Sequence, residues 1–451
     1  MQRVWRLAAR NLARNRRRNL ATGLAIAIGY ASLVLVGGYV SRVESYLRTA
    51  TVYLQQVGHV SIFAKDGLEL HLLEPSKYNL TKDQQEKIEA HLRGRTDVEL
   101  FGRALEGTGL IGNGCKTYSF FARGIDLDLD AKLRVHPEVA SHAKELATPR
   151  RGASLVDARD VEGAVALAEG LANKLGKTKV HAETGTIALP IEDCGAPGVF
   201  DRFTEDANVQ LAGASFDGSF AALDGEVVGI FSTGLASSDD VTVWAPVEHL
   251  QLLYDTDQVT SYSVYLRDVA STEEVGASVR AALESSGAKV DVLTYEDEDL
   301  NPYYVGTVKF LLVMAGLITS VVVFVVTLSI VNSTTMTIFE RTREIGALRS
   351  LGFTRSQVMG LFVREGLVLS AASLGAGFVL ALGASAFIAS LGVRIHPPGL
   401  SRPIQFLVTP APLPSLVLAL AIAAMGALAT LVATRRIARE NVAKLNSAAT
   451  G

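Results

Sequence analysis

The sequence predicts an α-helical membrane protein with four spans and one large mixed α/β domain, which lies outside the cytoplasm between the first two spans. Four apolar stretches of 21 to 26 residues are each long enough to cross ~30 Å of hydrocarbon as a helix. Charge is also divided along the chain. Residues 41–305 hold 42 acidic and 24 basic residues, whereas the remaining residues hold 4 acidic and 19 basic. This division separates an acidic soluble block from basic segments beside the spans.

The first span is predicted at residues 20–40, after a basic segment at residues 1–19. Seven arginines and no acidic residue precede this span: Arg3, Arg6, Arg10, Arg14, Arg16, Arg17 and Arg18. A cleaved signal peptide is the alternative interpretation. Its apolar region would be shorter, and a small-residue A-x-A site would follow it. The sequence has neither feature, so we expect a retained membrane anchor.

Three further spans are predicted near the C-terminus, at residues 306–331, 366–391 and 413–434. The valine-rich second span is too long for a buried strand. The third span is rich in Gly, Ala and Ser, which let membrane helices approach one another closely. We therefore expect the third span to pack against other helices, with Glu365 as an interfacial carboxylate beside Arg364.

The basic clusters predict the orientation of the chain, because Lys and Arg collect on the cytoplasmic side of membrane spans. The N-terminus, the loop 332–361 and the tail 435–451 carry these clusters and are predicted to be cytoplasmic. The block 41–305 and the loop 392–412 then lie on the other side of the membrane. The span assignment and the charge pattern therefore agree.

Helix and strand signals alternate through residues 41–305, which predicts a mixed α/β domain. Thr81–Gln84 and Ser271–Glu274 have the pattern of capping boxes that open amphipathic helices. Five short runs have the composition of strands: 57–63, 118–121, 227–231, 241–244 and 261–266. The periodicity is poorer at residues 140–220, where we expect an inserted subdomain.

A helical stalk is predicted where the chain leaves the first span and enters the second. Residues 41–56 continue the first span as a polar helix, and residues 296–309 occupy the corresponding place before the second span. Two helices that leave the membrane side by side would couple the domain mechanically to the spans.

The sequence shows no complete catalytic, cofactor-binding or metal-binding motif. Gly170 and Gly176–Thr178 resemble a phosphate-binding loop, but five residues separate the two glycines where that loop needs four. We expect a helix with a glycine cap there. Asp126, Asp128 and Asp130 alternate as in a calcium loop, but the glycine and distal glutamate of an EF-hand are missing, so a solvated acidic turn is expected. The sequence therefore predicts no enzyme and no bound cofactor or metal.

The two cysteines, Cys115 and Cys194, both fall in the acidic block. They could form one disulfide if this block lies in an oxidising compartment. Two separate thiols remain the alternative. The negative charge of the block argues against direct binding of nucleic acid.

The most informative segment is the loop after the second span, which reads FERTREIGALRSLGFTRSQV at residues 339–358. It predicts a short amphipathic helix that breaks at Gly352. Phe339, Ile345 and Leu348 would lie on the apolar side of this helix. By composition alone, a basic stop-transfer loop on the membrane surface explains the segment equally well.

This loop resembles the signature of FtsX-like permeases, the membrane subunits of MacB-type (type VII) ABC transporters. The layout of four spans with one large domain between the first two is also similar. In the acidic block, Gly58–Phe63 and Val228–Leu235 resemble stretches of MacB-like periplasmic core domains. His396–Ser401 and Arg435–Arg439 resemble the lipoprotein-releasing permease group in particular. The resemblance is weakest at residues 140–220.

The resemblance implies that the loop carries a coupling helix, which docks on a separate ATP-binding subunit. The coupling residues would be Phe339, Glu340, Arg341, Arg343, Glu344, Ile345, Gly346, Leu348, Arg349 and Gly352. The partner ATPase would then bind ATP and Mg²⁺, and this chain would bind no cofactor. The complex would contain a second permease protomer, alike or different, surrounded by membrane lipid.

Three functions remain open under this resemblance. The first is a transporter subunit that releases lipoprotein or another amphipathic substrate towards the outer membrane. The second is a MacB-like efflux subunit that works with a periplasmic adaptor, and the third is an FtsX-like scaffold that transmits force to a cell-wall hydrolase. The large acidic block favours transport over a minimal regulator. Each function implies the bacterial inner membrane, with both termini cytoplasmic and the large domain periplasmic.

Overall fold

A computed structural model describes residues 16–177, 179–184, 206–396 and 399–437 of the chain. These residues divide into two compact units. The membrane unit comprises the described parts of Met1–Glu44, Val308–Arg394 and Gln405–Gly451.

The outer unit comprises the described parts of Ser45–Thr307 together with the short segment Ile395–Ile404. Its main part corresponds to the acidic block of the sequence. The short segment comes from the predicted loop 392–412 between the third and fourth spans, so the middle of this loop is structurally part of the outer unit.

The described residues contain helices of very different lengths, from one turn to more than ten. In chain order they are α1 Arg16–Thr49, α2 Gly67–Leu70, α3 Pro75–Tyr78, α4 Lys82–Arg93, α5 Leu127–Arg134, α6 Pro137–His142, α7 Lys144–Ala147, α8 Glu169–Leu175, α9 His181–Thr184, α10 Ala236–Asp239, α11 Val247–Tyr254, α12 Thr272–Ser285, α13 Pro302–Glu340, α14 Thr342–Ser350, α15 Arg355–Leu391 and α16 Pro412–Ile437. A π-helical turn, Ala50–Leu54, continues α1, and a 3-10 turn, Val269–Ser271, precedes α12.

The strands of the described residues belong to one large sheet and one two-stranded ribbon. They are β1 Val60–Ala64, β2 Val98–Gly112, β3 Thr117–Ile125, β4 Arg151–Gly152, β5 Ala164–Ala168, β6 Asn208–Ala214, β7 Phe220–Phe231, β8 Thr242–Pro246, β9 Ser261–Leu266, β10 Val290–Thr294, β11 Arg394–Ile395 and β12 Ile404–Gln405.

The membrane unit is built from the four helices α1, α13, α15 and α16, each long and apolar enough to cross a membrane. All four helices contribute to one apolar core: Ile26, Tyr30 and Val34 from α1, Val326 and Ile330 from α13, Leu374 and Ala381 from α15, and Ile422 from α16. The predicted four-span fold is therefore confirmed.

Small residues allow close contact between these helices. A Cβ atom at Gly377 of α15 would lie 2.5 Å from the carbonyl oxygen of Ala27 of α1, and one at Gly29 would lie 2.6 Å from Val326 of α13. A larger residue at either position would push the two helices apart. The third span thus packs against its neighbours through small residues, as its composition predicts.

The outer unit is organised around a mixed sheet with the order β10-β1-β9-β2-β3-β8-β5-β7-β4, in which β6 also pairs with β2 and β7. The pairs β3–β8 and β5–β7 are parallel, and the other pairs are antiparallel. Helices α4 and α12 bury Ile88, Leu92, Val279 and Leu283 in the same core as the strands. The mixed α/β prediction is confirmed.

The prediction of an inserted subdomain at residues 140–220 is wrong for the described residues, because β4, β5 and β6 belong to the common sheet. The 15-residue strand β2 was also missed. Glycines interrupt its sequence pattern, but neighbouring groups require them. A Cβ atom at Gly107 would lie 2.5 Å from the ring of Tyr254, and one at Gly109 would lie 2.3 Å from the carbonyl oxygen of Ala212.

One of the two predicted capping boxes is present. The backbone N–H of Thr81 donates to Gln84 Oε1 at 3.0 Å, and α4 begins at the next residue. The second box, at Ser271, is wrong. The preceding 3-10 turn directs the Ser271 hydroxyl to the carbonyl oxygen of Asp268 at 2.7 Å, and α12 begins without a side-chain cap.

The acidic turn is only partly solvated, which corrects that expectation. Asp126 caps α5 by accepting from the N–H groups of Asp128 and Leu129. Asp130 is 3% exposed and accepts from Arg134 Nε at 2.5 Å and from Gln56 Nε2 at 2.8 Å. Gln56 is distant from Asp130 in the sequence, which explains why this burial was not predicted.

The segment that resembles a phosphate-binding loop is a capped helix, as predicted. Helix α8 ends at Gly176, whose φ of +70° is the left-handed conformation of a helix C-cap. Lys177 is buried and pairs with Asp206, so its ammonium group does not face an open loop. Thr178 lies outside the described residues.

Candidate coupling site

The candidate coupling site is formed by residues 339–353, called the coupling segment below. This segment connects α13 to α15 in the membrane unit. Helix α13 continues to Glu340, Arg341 forms a one-residue turn, and α14 follows. The break after α14 occurs at Gly352, which has a φ of +93°. Since side chains strain this left-handed conformation, glycine is the residue best suited to the position. The predicted short helix and its glycine break are both present.

A capping box fixes the beginning of α15. The backbone N–H of Thr354 donates to Gln357 Oε1 at 2.9 Å, and the N–H of Gln357 donates back to Thr354 Oγ1 at 3.3 Å. Before the break, the N–H of Leu351 donates to the carbonyl oxygen of Ala347 at 3.1 Å. The connection between α14 and α15 therefore has a defined path. The Thr-x-x-Gln spacing is the sequence signal of this cap.

Arg341 joins the coupling segment to α15 through a buried ion pair. Its Nη1 atom lies 3.1 Å from both carboxylate oxygens of Glu365, and each side chain is no more than 10% exposed. Arg341 Nε also lies 3.8 Å from Glu344 Oε2. Arg341 is thus turned into the helix bundle, where it pairs with Glu365.

A cavity of about 50 Å³ lies beside this ion pair. Its lining is rich in hydroxyl groups from all four long helices, including those of Thr22, Ser333, Thr337, Ser370 and Thr430. The hydroxyl of Thr22 donates to that of Ser333 at 2.8 Å, which links α1 to α13. The cavity has room for one or two water molecules, and its polar walls can hydrate the buried charges.

The surface of the coupling segment carries exposed apolar side chains. Phe339, Leu351 and Phe353 are 63%, 78% and 47% exposed. Of these, Leu351 and Phe353 were not among the predicted coupling residues, although an apolar residue on each side of a turn glycine is a recognisable signal. Exposed apolar side chains suit contact with another protein.

The remaining predicted coupling residues also lie on this segment. Glu340 and Glu344 are exposed, whereas Gly346 is buried in α14. Four other predicted residues belong to α14, but their side chains are outside the described part of the chain: Arg343, Ile345, Leu348 and Arg349.

The outer unit buries a separate group of charged residues. Glu106 of β2 stands directly opposite Arg123 of β3 and pairs with it, and His71 Nε2 lies 3.3 Å from Glu106 Oε2. Burial alone would raise the pKa of the Glu106 carboxyl, but Arg123 and His71 hold that pKa below its ordinary value. Burial likewise opposes protonation of His71, but Glu106 keeps the pKa of His71 above its ordinary value.

A second buried histidine lies near the end of the π-helical turn. His59 is 1% exposed, and its Nδ1 accepts from the N–H of Leu266 at 3.0 Å. The ring lies 5.6 Å from that of Tyr53 and 6.0 Å from that of Tyr295. Burial, together with Arg48 and His136, lowers the pKa of His59 to about 4. This imidazole is therefore neutral at physiological pH.

The described residues hold no group of three or more His, Cys, Asp or Glu side chains that could bind a metal ion. Cys115 lies in the turn between β2 and β3, where its N–H donates to Asn113 Oδ1 at 2.9 Å. Cys194 lies outside the described residues. The disulfide between these two cysteines therefore stays a prediction.

Comparison with known proteins agrees with the resemblance of the coupling loop. Residues 316–442 match the family described as FtsX-like permease C-terminal. The chain is 23% identical over 171 residues to the uncharacterized ABC transporter permease YknZ of Bacillus subtilis (strain 168), which covers 37% of this chain and 43% of that protein. It is 25% identical over 163 residues to the macrolide export ATP-binding/permease protein MacB of Brucella abortus (strain 2308), covering 36% and 25% of the two chains.

A third relative is the pyoverdine export ATP-binding/permease protein PvdT of Pseudomonas syringae pv. syringae (strain B728a), which is 28% identical over 167 residues. The matched region covers 36% of this chain and 25% of PvdT. The chain thus spans less than half the length of each of these curated relatives.

Among solved structures, the extracellular domain of YknZ from Gram-positive bacteria has a TM-score of 0.32 and 16% identity, and covers 52% of this chain and 99% of that domain. The periplasmic region of MacB from Actinobacillus actinomycetemcomitans has a TM-score of 0.31 and 13% identity, and covers 54% and 92%. The family match agrees with the resemblance to FtsX-like permeases over residues 316–442, which contain the coupling segment, and the chain is similar in sequence to YknZ and MacB over 171 and 163 residues.

Proposed function

We propose that this protein is the membrane subunit of an ABC transporter and that it couples ATP hydrolysis by a separate ATPase to movement of the outer unit. The observation that carries this proposal is the coupling segment of the FtsX-like domain. It has an exposed surface, a defined path and a buried ion pair that joins it to a long membrane helix. A force applied to α14 would therefore reach α15 directly.

The exposed surface is the proposed contact with the ATPase. Phe339, Leu351 and Phe353 supply apolar contact area, and Glu344 supplies charge. ATP and Mg²⁺ bind to the ATPase, and this chain acts without a cofactor. The coupling segment and both termini are cytoplasmic in the bacterial inner membrane, the outer unit is periplasmic, and a second permease protomer completes the complex.

The proposed substrate is a lipoprotein or another amphipathic molecule that moves towards the outer membrane. The resemblance of His396–Ser401 to lipoprotein-releasing permeases supports this choice. The second candidate is efflux with a periplasmic adaptor, which is favoured by two relatives named for macrolide and pyoverdine export. A scaffold that regulates a cell-wall hydrolase is the third.

Affinity purification of the full chain in mild detergent, followed by mass spectrometry of retained proteins and lipids, tests this proposal. We expect a stoichiometric ATP-binding subunit with a bound lipoprotein, whereas a co-purified adaptor or hydrolase would favour the second or third candidate.

Glu344→Lys should reduce the retained ATPase by about tenfold, equivalent to about 1.4 kcal/mol. Glu273→Lys, an exposed charge reversal on α12, is the matched control and should have no effect. Unchanged ATPase retention by Glu344→Lys would refute the proposed contact.

A further inference from the structure

The loop between α15 and α16 contains the segment Ile395–Ile404, which belongs to the outer unit. The chain therefore joins the outer unit to the membrane helices through two different sets of connections. Helices α1 and α13 lead into its main part, and the short segment returns to it between α15 and α16. The predicted stalk includes only the first kind of connection.

Backbone hydrogen bonds hold this short segment against the end of β7. Leu400 forms an antiparallel bridge with Leu235. The N–H of Ala236 donates to the carbonyl oxygen of Gly399 at 3.0 Å, and the N–H of Ser401 donates to that of Gly234 at 3.1 Å. Leu400 is only 6% exposed. The segment thus contributes a short strand and a buried side chain to the outer unit.

Polar side chains strengthen the same contact. The hydroxyls of Ser232 and Ser401 lie 2.7 Å apart, and Ser232 Oγ donates to the buried Asp239 at 3.1 Å. Because Ser232 has a single hydroxyl proton, Ser401 must be the donor between the two serines. Arg402 Nη1 donates to the carbonyl oxygen of Glu145 on α7. The segment is therefore tied to both the end of β7 and α7.

The contact also joins two sequence motifs that are far apart in the chain. Val228–Leu235 and His396–Ser401 each resemble a family motif, but the sequence does not indicate that they touch. Gly399 has a φ of +82°, and a Cβ atom there would lie 3.3 Å from the ring of Tyr303 near the start of α13. Glycine at this position allows the segment to lie close to Tyr303.

We propose that residues 399–404 form a latch through which movement of the α15–α16 pair reaches the outer unit, in parallel with α1 and α13. Ser401 and Arg402 are positioning residues that keep the latch closed throughout the transport cycle. This proposal rests on the proposed function, because it assumes that the partner ATPase moves the membrane helices.

The test uses the full complex with its ATPase and compares hydrogen exchange with and without a non-hydrolysable ATP analogue and Mg²⁺. Gly399→Val should open the latch, because it strains the left-handed backbone and crowds Tyr303. The amide of Ala236 should then exchange about tenfold faster. The nucleotide-dependent change at residues 232–239 should be lost, while ATPase retention stays within about twofold of wild type.

Gly218→Val is the matched control, since Gly218 is also left-handed, with a φ of +91°, but has no atom within 4 Å of its Cβ position. Leu400→Ser is a second opening variant, and Ser232→Cys/Ser401→Cys should lock the latch and preserve the nucleotide response. Failure to recover any ATPase with the wild-type chain would refute the proposed function. If the ATPase is present, an unchanged nucleotide response in Gly399→Val and Leu400→Ser would refute the latch.

Discussion

The membrane unit and the outer unit both bury ionised side chains, but they support them differently. In the outer unit, Glu106 and Arg123 face each other across paired strands, and His71 adds a third partner. In the membrane unit, Arg341 and Glu365 are 24 residues apart in sequence and meet across the coupling segment beside a polar cavity. The first arrangement is set by strand register, whereas the second depends on how two helices pack.

This difference indicates what each charge group contributes. A cross-strand group in a continuous sheet stabilises the fold and leaves little freedom for the strands to shift. A single ion pair between helices can be rearranged when one helix moves, because the adjacent cavity can hydrate the separated charges. We therefore propose that the Glu106 group stabilises the outer unit and that the Arg341–Glu365 pair transmits movement.

The largest effect is expected from Glu106→Gln, which leaves Arg123 buried without its counter-ion. Removal of one partner from a buried ion pair should lower the free energy of unfolding of the outer unit by about 3–5 kcal/mol. Urea unfolding of the full chain, followed by the fluorescence of buried Trp244 in a Trp5→Phe background, measures this change. Glu248→Gln is the control, because Glu248 pairs with Arg103 while 63% exposed, and should cost under about 1 kcal/mol. Equal losses in the two variants would contradict the assignment.

A smaller and more local effect is expected from Glu365→Gln. The free energy of local opening of the coupling segment should fall by about 3 kcal/mol, because the neighbouring cavity can partly hydrate Arg341. Hydrogen exchange should become faster at residues 342–353, while unfolding of the outer unit stays unchanged. The double variant Arg341→Gln/Glu365→Gln should recover part of the loss, since it buries no unpaired charge. If the double variant is as damaged as Glu365→Gln, the ion pair does not explain the effect.

The smallest effect concerns the pH dependence of the outer unit. The pKa of His59 is about 4 in the folded state and 6.5 when unperturbed, so the unfolded state binds the proton more readily. Stability should therefore fall as the pH drops below 6.5, by about 2 kcal/mol from this residue at pH 5. Urea unfolding between pH 7.5 and 5 in about half-unit steps measures this slope.

His59→Asn should flatten that slope. His71 provides a control of opposite sign, because Glu106 raises its pKa in the folded state. The stability that His71 contributes is fully present below its unfolded pKa and is lost as the pH rises through its folded pKa. His71→Asn should therefore steepen the acid destabilisation. The same pH slope in both variants would disprove the opposed roles of the two histidines.

Local sequence patterns predicted the features that depend on neighbouring residues. The four spans, the capping box at Thr81 and the break at Gly352 all follow from hydropathy, spacing or backbone preference within a few residues. By contrast, the burial of Asp130 and the partner of Glu365 depend on residues far away in the chain. No spacing rule connects Gln56 with Asp130 or Arg341 with Glu365.

Glycine caused the main error in the outer unit. Strand β2 contains Gly102, Gly107, Gly109 and Gly112, which read locally as interruptions. In the structure, three of them meet neighbouring atoms so closely that a Cβ atom could not fit without a shift: Gly102 against Leu129, Gly107 against Tyr254 and Gly109 against Ala212. The reason for these residues lies in the packing of other elements. The contact between residues 234–236 and the latch was also unpredictable, because it joins segments that are far apart in the chain.

We propose that this chain transmits the energy of ATP hydrolysis by a separate subunit and does not hydrolyse ATP itself. The most direct test measures phosphate release by the purified full chain alone and by the complex recovered with its ATP-binding partner. We predict no activity above background for the chain alone, and hydrolysis by the complex that is abolished when the catalytic residues of the partner are replaced. ATP hydrolysis by the isolated chain, or the absence of any ATP-binding partner, would contradict the account.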